Sequence, residues 1–251
     1  MTMRRTMWVL AGLAATACHP HTQQPRPSIQ PDRELARALT LFRHGDARRS
    51  MVILQRLAFE FGPGQPELVT ARYYVAECYF QIGDRIQAAH EFRKVADEFP
   101  SSEYAPLALL RAGDANLRLW RRPELDPTSG ETALAIYQEV SERYPDSDAA
   151  ARARLHVRRL QNQFAEKTYK NGLFYFKRKA YDSAILYFKD VIANYPDATR
   201  AQDALLRLVD SYRVIRYTEE LKETCAHLRR YYPRATGLDK SCPADTTGAP
   251  S

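Results

Sequence analysis

Residues 172–196 read GLFYFKRKAYDSAILYFKDVIANYP, and residues 76–100 read AECYFQIGDRIQAAHEFRKVADEFP. Both segments carry a small residue, an aromatic, a second small residue, a second aromatic and a proline, at identical offsets of 3, 12, 16 and 24 residues from the first. Small residues twelve apart let two successive helices approach closely, aromatics fill the space beside the contact, and the proline ends the second helix. The spacing therefore predicts pairs of packed helices. The landmarks are Gly172, Tyr175, Ala184, Phe188 and Pro196 in the later segment and Ala76, Tyr79, Ala88, Phe92 and Pro100 in the earlier one.

Three weaker copies of the same pattern begin at Ala38, Gly113 and Val209. The copy at Gly113 has its later landmarks eight residues late, because an insertion at residues 121–128 contains two prolines. Atypical end copies are expected of repeat arrays, whose terminal units cap the stack. This spacing and residue usage resemble the tetratricopeptide repeat. We therefore expect an all-α solenoid of about five helix pairs, and no segment shows the alternation typical of a strand.

One long helix is predicted between the third and fourth repeats. Pro145 and Pro196 lie 51 residues apart, which breaks the rhythm of the repeats. Ser147 is a favourable N-cap, and the chain from there to Lys179 contains no proline and one glycine. A helix of about 30 residues would be about 45 Å long and would join the two halves of the array. Its buried stripe is expected at Leu155, Leu160, Phe164 and Leu173.

The N-terminus has the pattern of an export signal. Arg4 and Arg5 precede an apolar run at residues 7–17 that closes on small residues before Cys18. As a helix this run would span about 17 Å, well short of the roughly 30 Å membrane core. A cysteine directly after small residues resembles the lipobox of bacterial lipoproteins, so Cys18 is the predicted lipidation site. The alternative is a plain secretory signal followed by an unrelated thiol.

A proline-rich segment follows Cys18 and predicts an extended tether. His19, in place of the aspartate that typically retains lipoproteins at the inner membrane, favours the periplasmic face of the outer membrane. The expected organisation is a signal peptide at residues 1–17, an anchor and tether at 18–31, repeats one to three at 32–145, the long helix with repeats four and five at 146–235, and a flexible tail at 236–251.

Composition and motifs argue against an enzyme and against a nucleic-acid binder. With 45% apolar residues the chain of 251 can fold, and its net charge of +7 is mild and dispersed. There is no Gly-x-Ser-x-Gly elbow or phosphate-binding glycine loop, and the only His-Glu pair, at His90, lacks a second histidine three residues after the glutamate. We therefore expect no catalytic residues, no cofactor and no metal.

Three cysteines besides Cys18 would lie in an oxidising compartment, namely Cys78, Cys225 and Cys242. Three pairings are possible, and we favour Cys225–Cys242, which would pin the tail across the end of the solenoid and add about 3 kcal/mol. Cys78, beside the small residues of the second repeat, is expected to be a buried apolar group.

The first helices of the repeats should line a groove, and aromatics at helical spacing there suit an extended or helical peptide. Packing against neighbouring helices is an equally good interpretation of these side chains, with the groove slightly favoured for Tyr73, Phe80 and Phe176. The candidate groove residues are Tyr73, Tyr74, Glu77, Phe80, Arg111, Asp114, Tyr169, Leu173 and Phe176.

Anchor, tether and five repeats in this order resemble the BamD family of outer-membrane assembly lipoproteins. The resemblance is carried by LDPT at residues 125–128, the segment 133–148 ending in RYPDS, FAEK at 164–167 and YPD at 195–197. It implies a non-catalytic periplasmic scaffold that recruits unfolded outer-membrane proteins. It also implies docking on the periplasmic POTRA domain of BamA, alongside other lipoproteins of the assembly machinery.

In that family the N-terminal repeats are associated with substrate and the C-terminal repeats with BamA. The resemblance therefore implies substrate contacts at Tyr73, Phe80 and Arg111, and docking through the fourth and fifth repeats. Family members often carry Asn-Arg where this chain has Leu186-Tyr187, so docking here would use Tyr187 or Lys189. The alternative function is a generic tetratricopeptide adaptor lipoprotein that organises peptidoglycan or other cell-envelope proteins.

Overall fold

The computed structural model describes residues 30–120 and 126–243. Within these ranges the chain forms eleven α-helices and no strand. The helices are α1 Pro31–Arg43, α2 Ala47–Glu60, α3 Pro66–Ile82, α4 Arg85–Glu98, α5 Tyr104–Leu119, α6 Thr128–Arg143, α7 Asp148–Lys177, α8 Tyr181–Asn194, α9 Arg200–Ile215, α10 Thr218–Tyr231 and α11 Leu238–Ser241.

Local chemistry sets the ends of the early helices. The carboxylates of Asp46 and Asp84 accept hydrogen bonds from backbone amides in the first turns of α2 and α4. Between α3 and α4 the chain reverses at Gly83, whose φ of 95° lies in the left-handed region that other residues rarely adopt. Each cap and turn lies between the two helices of one repeat.

Each of α1 to α10 packs against its neighbours in the chain. The odd-numbered helices α1, α3, α5, α7 and α9 also contact one another in sequence, whereas the even-numbered helices of the described ranges make no such contacts. The odd-numbered helices are therefore closer together and form an inner layer, and the array curves towards them. We call the exposed side of this layer the inner face. The predicted all-α solenoid of helix pairs is confirmed.

The small landmarks lie where two helices meet most closely. A Cβ added at Gly172 would lie 2.5 Å from the Phe188 ring, and one added at Gly113 would lie 2.7 Å from the Tyr137 ring. In the second repeat Ala76 and Phe92, the corresponding landmarks, are fully buried. The repeat spacing in the sequence thus records helix contacts.

The long helix is present as α7, which has 30 residues and is capped by the Ser147 hydroxyl, an acceptor for the Ala150 amide. Leu160 and Phe164 are buried as expected. The prediction for Leu155 is wrong, since this side chain is 59% exposed. In that part of α7 the contact with the earlier helices is made by small alanines, including Ala153, and Leu155 projects from the other side of the helix.

The insertion is anchored by Trp120. Its ring stacks on Phe164 of α7 with 5.1 Å between centroids, and its indole N–H donates to the Asp126 carbonyl at 2.9 Å. A Cβ at Gly130 would lie 2.6 Å from the Trp120 ring. The aromatic ring therefore fixes where the chain re-enters the helix pair at α6.

A disulfide joins Cys225 of α10 to Cys242, with 5.6 Å between Cα atoms. This is one of the three pairings that the sequence left open. Residues 236–243, assigned to the flexible tail, contain α11, and Leu238 is buried against α9 and α10. The tail assignment therefore needs correction here, because the disulfide and this apolar contact hold the segment on the end of the solenoid.

The predicted signal peptide, the predicted lipidation site Cys18 and all but the end of the predicted tether lie outside the described residues. Helix α1 begins at Pro31, one residue before the expected start of the first repeat. No helix in the described ranges has both the length and the apolar character needed to cross a membrane.

Candidate functional site

The nine candidate groove residues lie on three helices of the inner layer, α3, α5 and α7, and they form two groups. We call Tyr73, Glu77, Phe80, Arg111 and Asp114 the N-terminal cluster, which joins α3 to α5. Tyr74 lies beside it, with its ring 5.3 Å from that of Phe42 and 5.4 Å from that of Tyr73. The sequence placed these residues on one face, and their mutual contacts are a further finding.

Arg111 is the centre of the N-terminal cluster. Its guanidinium binds the Glu77 carboxylate through two hydrogen bonds, Nε to Oε1 at 2.8 Å and Nη2 to Oε2 at 2.7 Å. A third bond runs from Nη1 to Asp114 Oδ2 at 3.0 Å. Such two-pronged pairing is the geometry for which a planar guanidinium is best suited. The two carboxylates hold Arg111 in a single orientation on the inner face.

Two tyrosine hydroxyls complete this network. Tyr73 donates to Glu77 Oε1 at 2.7 Å, and Tyr137 of α6 donates to Asp114 Oδ1 at 2.8 Å. Burial, together with the neighbouring carboxylate, raises the pKa of both phenols. Burial works against the charge of Arg111, but the bonds to Glu77 and Asp114 outweigh it and raise the pKa of the guanidinium. The two phenols therefore stay neutral and the Arg111 guanidinium stays charged at neutral pH.

The aromatic members differ in exposure. Tyr73 is only 5% exposed, so its ring belongs to the core and only its hydroxyl takes part in the cluster. The slightly favoured groove assignment of Tyr73 is therefore corrected. Phe80 is partly exposed, and the guanidinium carbons of Arg85 and Arg111 each lie 4.0 Å from its ring centroid. Phe80 is thus a partly exposed aromatic ring in contact with two cations.

A second cluster occupies the corresponding place 96 residues later, the distance between Ala76 and Gly172. Tyr169 matches Tyr73, and Phe176 matches Phe80. The same register matches Arg207 to Arg111 and Asp210 to Asp114, which the groove prediction missed. The repeat period itself could have found them. We call Tyr169, Leu173, Phe176, Arg207 and Asp210 the C-terminal cluster, which joins α7 to α9.

The two clusters differ at one decisive position, where Leu173 stands in place of Glu77. Among the described residues, Arg207 makes one hydrogen-bonded ion pair, from Nη1 to Asp210 Oδ2 at 3.1 Å. Its guanidinium carbon lies 5.6 Å from the Phe176 centroid, compared with 4.0 Å for Arg111 and Phe80. The Arg207 side chain is 42% exposed, whereas that of Arg111 is 20% exposed. Arg207 is thus the more accessible of the two.

Arg207 also lines a cleft of about 320 Å³ between α9, the end of α7 and the turn that leads into α11. Tyr169 forms part of its wall and is itself buried in the core, so here too the ring is not a free groove surface. The charged lining residues are Arg207, Arg213, Lys240, Asp203 and Asp210. Asp203 is paired with Arg200 at 2.6 Å and Asp210 with Arg207, so both carboxylates are already engaged.

The predicted docking residues lie on α8, an outer helix. The Tyr187 ring stacks on Tyr175 with 5.3 Å between centroids, while the preceding Leu186 is 70% exposed. Lys189 is exposed, with its ammonium nitrogen 6.0 Å from the Tyr212 centroid. The structure therefore places an aromatic side chain, an apolar side chain and a cation close together in the sequence of α8, a helix outside the inner layer.

The next features are the free cysteine and the groups of side chains that could bind a metal. Cys78 is buried, and burial raises the pKa of its thiol to about 11, so it is protonated and inert at neutral pH. In the two ranges that the structure covers, no group of His, Cys, Asp and Glu side chains is placed to hold a metal ion. What the described residues offer is a surface for binding.

Helix pairs with close-packed small residues, arranged around an inner face, define a tetratricopeptide-repeat protein. Residues 70–102 match the family described as tetratricopeptide repeat, and residues 109–228 match the family described as YfiO, outer membrane lipoprotein. The second match covers most of the third repeat, the long helix, the fourth repeat and most of the fifth.

Relatives named outer membrane protein assembly factor BamD give the same result. The Caulobacter vibrioides protein is 35% identical over 108 residues, which are 43% of this chain and 35% of that protein. The Vibrio cholerae protein is 28% identical over 103 residues, 41% of this chain and 43% of the relative. These alignments therefore span less than half of either relative. One Xylella fastidiosa protein is 24% identical over 211 residues, 78% of this chain and 71% of its own length. Over residues 109–228 the chain is therefore similar to BamD-family proteins.

Solved tetratricopeptide-repeat structures align with most of the chain at low identity. The Thermus thermophilus protein TTC0263 covers 84% of this chain and 95% of itself, with 18% identity and a TM-score of 0.38. The TPR2AB domain of yeast Sti1 covers 81% and 78%, with 13% identity and a TM-score of 0.45.

Proposed function

We propose that this chain is a lipid-anchored periplasmic scaffold of outer-membrane protein assembly, with no catalytic step of its own. It binds segments of unfolded outer-membrane proteins on the N-terminal part of the inner face and docks on BamA through its C-terminal repeats. The observation that carries this proposal is the match of residues 109–228 to a family of outer membrane lipoproteins, on a fold made of binding surfaces.

The aromatic surface beside the N-terminal cluster supports the substrate assignment. Phe80 and Tyr74 are partly exposed, and Phe80 lies next to the guanidinium groups of Arg85 and Arg111. Apolar side chains of an extended polypeptide can pack on such rings, while the cations favour its backbone carbonyls and acidic groups. Because Glu77 and Asp114 fix Arg111, this surface is preorganised and loses little side-chain freedom on binding.

The outer surface of α8 supports the docking assignment. Leu186 and the stacked Tyr187 offer apolar and aromatic area, and Lys189 adds a positive charge. Aromatic residues flanked by polar ones are enriched at protein interfaces. The surface lies within the segment that matches the family, which is where partner contacts of the family are expected.

Lipidation at Cys18 is the third part of the proposal. A tether of about 13 residues in extended conformation would hold the first helix up to about 40 Å from the membrane surface. Such a length lets the solenoid reach partners in the periplasm while staying at the membrane.

The function is tested by affinity capture of the full-length tagged protein from detergent-solubilised envelopes of its own bacterium. We expect BamA to co-purify with the wild type. A Tyr187→Ala, Lys189→Ala double variant should capture about tenfold less BamA. Phe59→Ala is the matched control, since it removes an aromatic side chain from the exposed surface of α2. Retention of BamA by the double variant would overturn the docking assignment.

Two further arms separate the alternatives. Capture of peptidoglycan synthases in place of BamA would favour the generic adaptor. A Cys18→Ser variant should leave the membrane fraction, and its firm retention there would contradict the anchor.

A further inference from the structure

The two clusters differ in what binds their arginine. In the N-terminal cluster a glutamate side chain fills the two-pronged site of Arg111 from within the chain. In the C-terminal cluster the same register brings Arg207 to the equivalent place on α9, but the equivalent of Glu77 is Leu173. The arginine is retained, and the glutamate that would fill its site is replaced.

Arg207 also has hydrogen-bonding capacity to offer. A guanidinium carries five N–H donors, and Arg207 uses Nη1 for Asp210 within the part of the chain that the structure covers. The side chain is 42% exposed and lines the 320 Å³ cleft, so a ligand can reach it from the inner face. Arg111 binds Glu77 through its Nε and Nη2 atoms. On Arg207 the same two atoms are the donors that a ligand carboxylate would use.

The charge of the cleft is complementary to one carboxylate. Three cationic side chains line it, Arg207, Arg213 and Lys240, against the two carboxylates of Asp203 and Asp210. One incoming negative charge would bring the charged groups of the cleft to three cations and three carboxylates.

We propose that Arg207 is a binding site for the side-chain carboxylate of a glutamate or aspartate in a partner polypeptide, which occupies the place that Glu77 fills in the N-terminal cluster. The carboxylate pairs with Nε and Nη2 of Arg207, and Leu173 and Phe176 contact the apolar residues that flank it. This goes beyond the proposed function, because it names a ligand chemistry and a residue on the inner face, apart from the docking surface on α8.

The test uses short fluorescent peptides with both ends blocked, which alternate apolar and polar residues and carry either glutamate or glutamine at the centre. Fluorescence anisotropy with the folded, disulfide-bonded protein should show the glutamate peptide binding about tenfold more tightly than the glutamine peptide. This preference should shrink as salt is raised, because Arg207 is partly exposed. Equal affinity for the two peptides would overturn the proposal.

Substitutions at Leu173 give the sharpest comparison. Leu173→Glu rebuilds the internal partner that Arg111 has, so it should lower affinity for the glutamate peptide about tenfold. Leu173→Gln has the same length without the charge, and it should retain the preference for glutamate. If both variants bind the glutamate peptide alike, the assignment of Arg207 to a carboxylate is wrong. Far-UV circular dichroism and thermal unfolding confirm that each variant is folded.

Three further arms identify the group and its source. Arg207→Ala should abolish the preference, Arg207→Lys should keep only part of it because the two-pronged geometry is lost, and Arg33→Ala, which removes an exposed charge from α1, should keep it in full. A glutamine peptide with a free C-terminal carboxylate should bind as weakly as the blocked one. Binding of that peptide as tight as the glutamate peptide would overturn the side-chain assignment.

Discussion

The N-terminal and C-terminal clusters are two versions of one structural unit. Both place a tyrosine, a phenylalanine, an arginine and an aspartate at matching positions of the inner layer. In the N-terminal cluster the Glu77 side chain binds Arg111. In the C-terminal cluster Leu173 takes the place of that glutamate, so Arg207 binds only Asp210 among the described residues and lines the cleft. The exchange of glutamate for leucine at this position thus accompanies the change from a tightly bound arginine, Arg111, to an accessible one, Arg207.

A second difference lies at the start of the fifth repeat. Tyr104 packs on Tyr73 with 4.8 Å between ring centroids, whereas Arg200 takes the equivalent position and lies 5.1 Å from the Tyr169 ring. Arg200 also binds Glu166 at 2.5 Å and Asp203 at 2.6 Å. At this one position the contact between successive inner helices is thus aromatic in the N-terminal half and ionic in the C-terminal half.

The largest expected difference concerns the two arginines. Arg111→Ala leaves the Glu77 carboxylate, which is 13% exposed, without its partner and should lower the free energy of unfolding by about 3 kcal/mol or more. Arg207→Ala breaks a partly exposed pair and should cost less than about 1 kcal/mol. Urea unfolding followed by circular dichroism measures both. Similar losses of unfolding free energy in the two variants would show that Arg207 is as tightly paired as Arg111, which would contradict the difference between the clusters.

The disulfide gives the C-terminal half a covalent support. Cys225 and Cys242 close a loop with a sequence separation of 17, so Cys242→Ser should cost about 3 kcal/mol at that end of the array. In hydrogen exchange, α10 and α11 should lose protection while α3 and α5 keep theirs, because repeats interact with their neighbours only. Uniform loss of protection along the chain would contradict this local role.

An exchange of small residues tests how closely the helices pack in each half. Gly172→Ala places a methyl group 2.5 Å from the present position of the Phe188 ring and should cost about 1–3 kcal/mol. Ala76→Gly loses helix propensity and a buried methyl group, at a cost of about 1 kcal/mol. Thermal unfolding of the two variants gives the comparison, and a stabilising Gly172→Ala would disprove the close contact with Phe188.

The smallest effect is the pH dependence that Glu166 contributes in the C-terminal half. The hydrogen bond from Arg200 holds the pKa of Glu166 below its ordinary value. The resulting stabilisation is therefore present above the unfolded pKa of about 4.3 and is lost as the pH falls through the lower folded value. Glu166→Gln should flatten the acid limb of stability slightly. An unchanged acid limb would mean that this pair contributes nothing.

The fold was largely readable from the sequence, because repeat landmarks report helix contacts directly. The offsets from Gly172 and Ala76 and the proline-free run after Ser147 gave helix pairs and a long helix. The prediction that Leu155 is buried was wrong because α7 packs there through alanines. The hydrophobicity pattern alone does not show whether the alanines or the leucine face the neighbouring helices. The helix α11 was missed because its four residues become ordered through a disulfide and a tertiary contact.

The site was only partly readable. The helical spacing predicts the face on which Glu77 and Arg111 lie, but their pairing depends on how α3 and α5 are placed side by side. The burial of Tyr73 and Tyr169 likewise follows from neighbouring helices. Arg207 was accessible to sequence reasoning through the 96-residue register, since the same comparison that matched Gly172 to Ala76 matches it to Arg111.

The most direct test of the division between the two clusters exchanges their distinguishing residues. A photo-reactive peptide with a central glutamate is cross-linked to the wild type and to a Glu77→Leu, Leu173→Glu double variant, and the labelled segments are mapped by mass spectrometry. We predict that the labelling which depends on the glutamate, measured against the same peptide with glutamine, lies at α7 and α9 in the wild type and at α3 and α5 in the double variant, with both proteins folded by circular dichroism. Labelling that stays at α7 and α9 in the double variant would contradict the account.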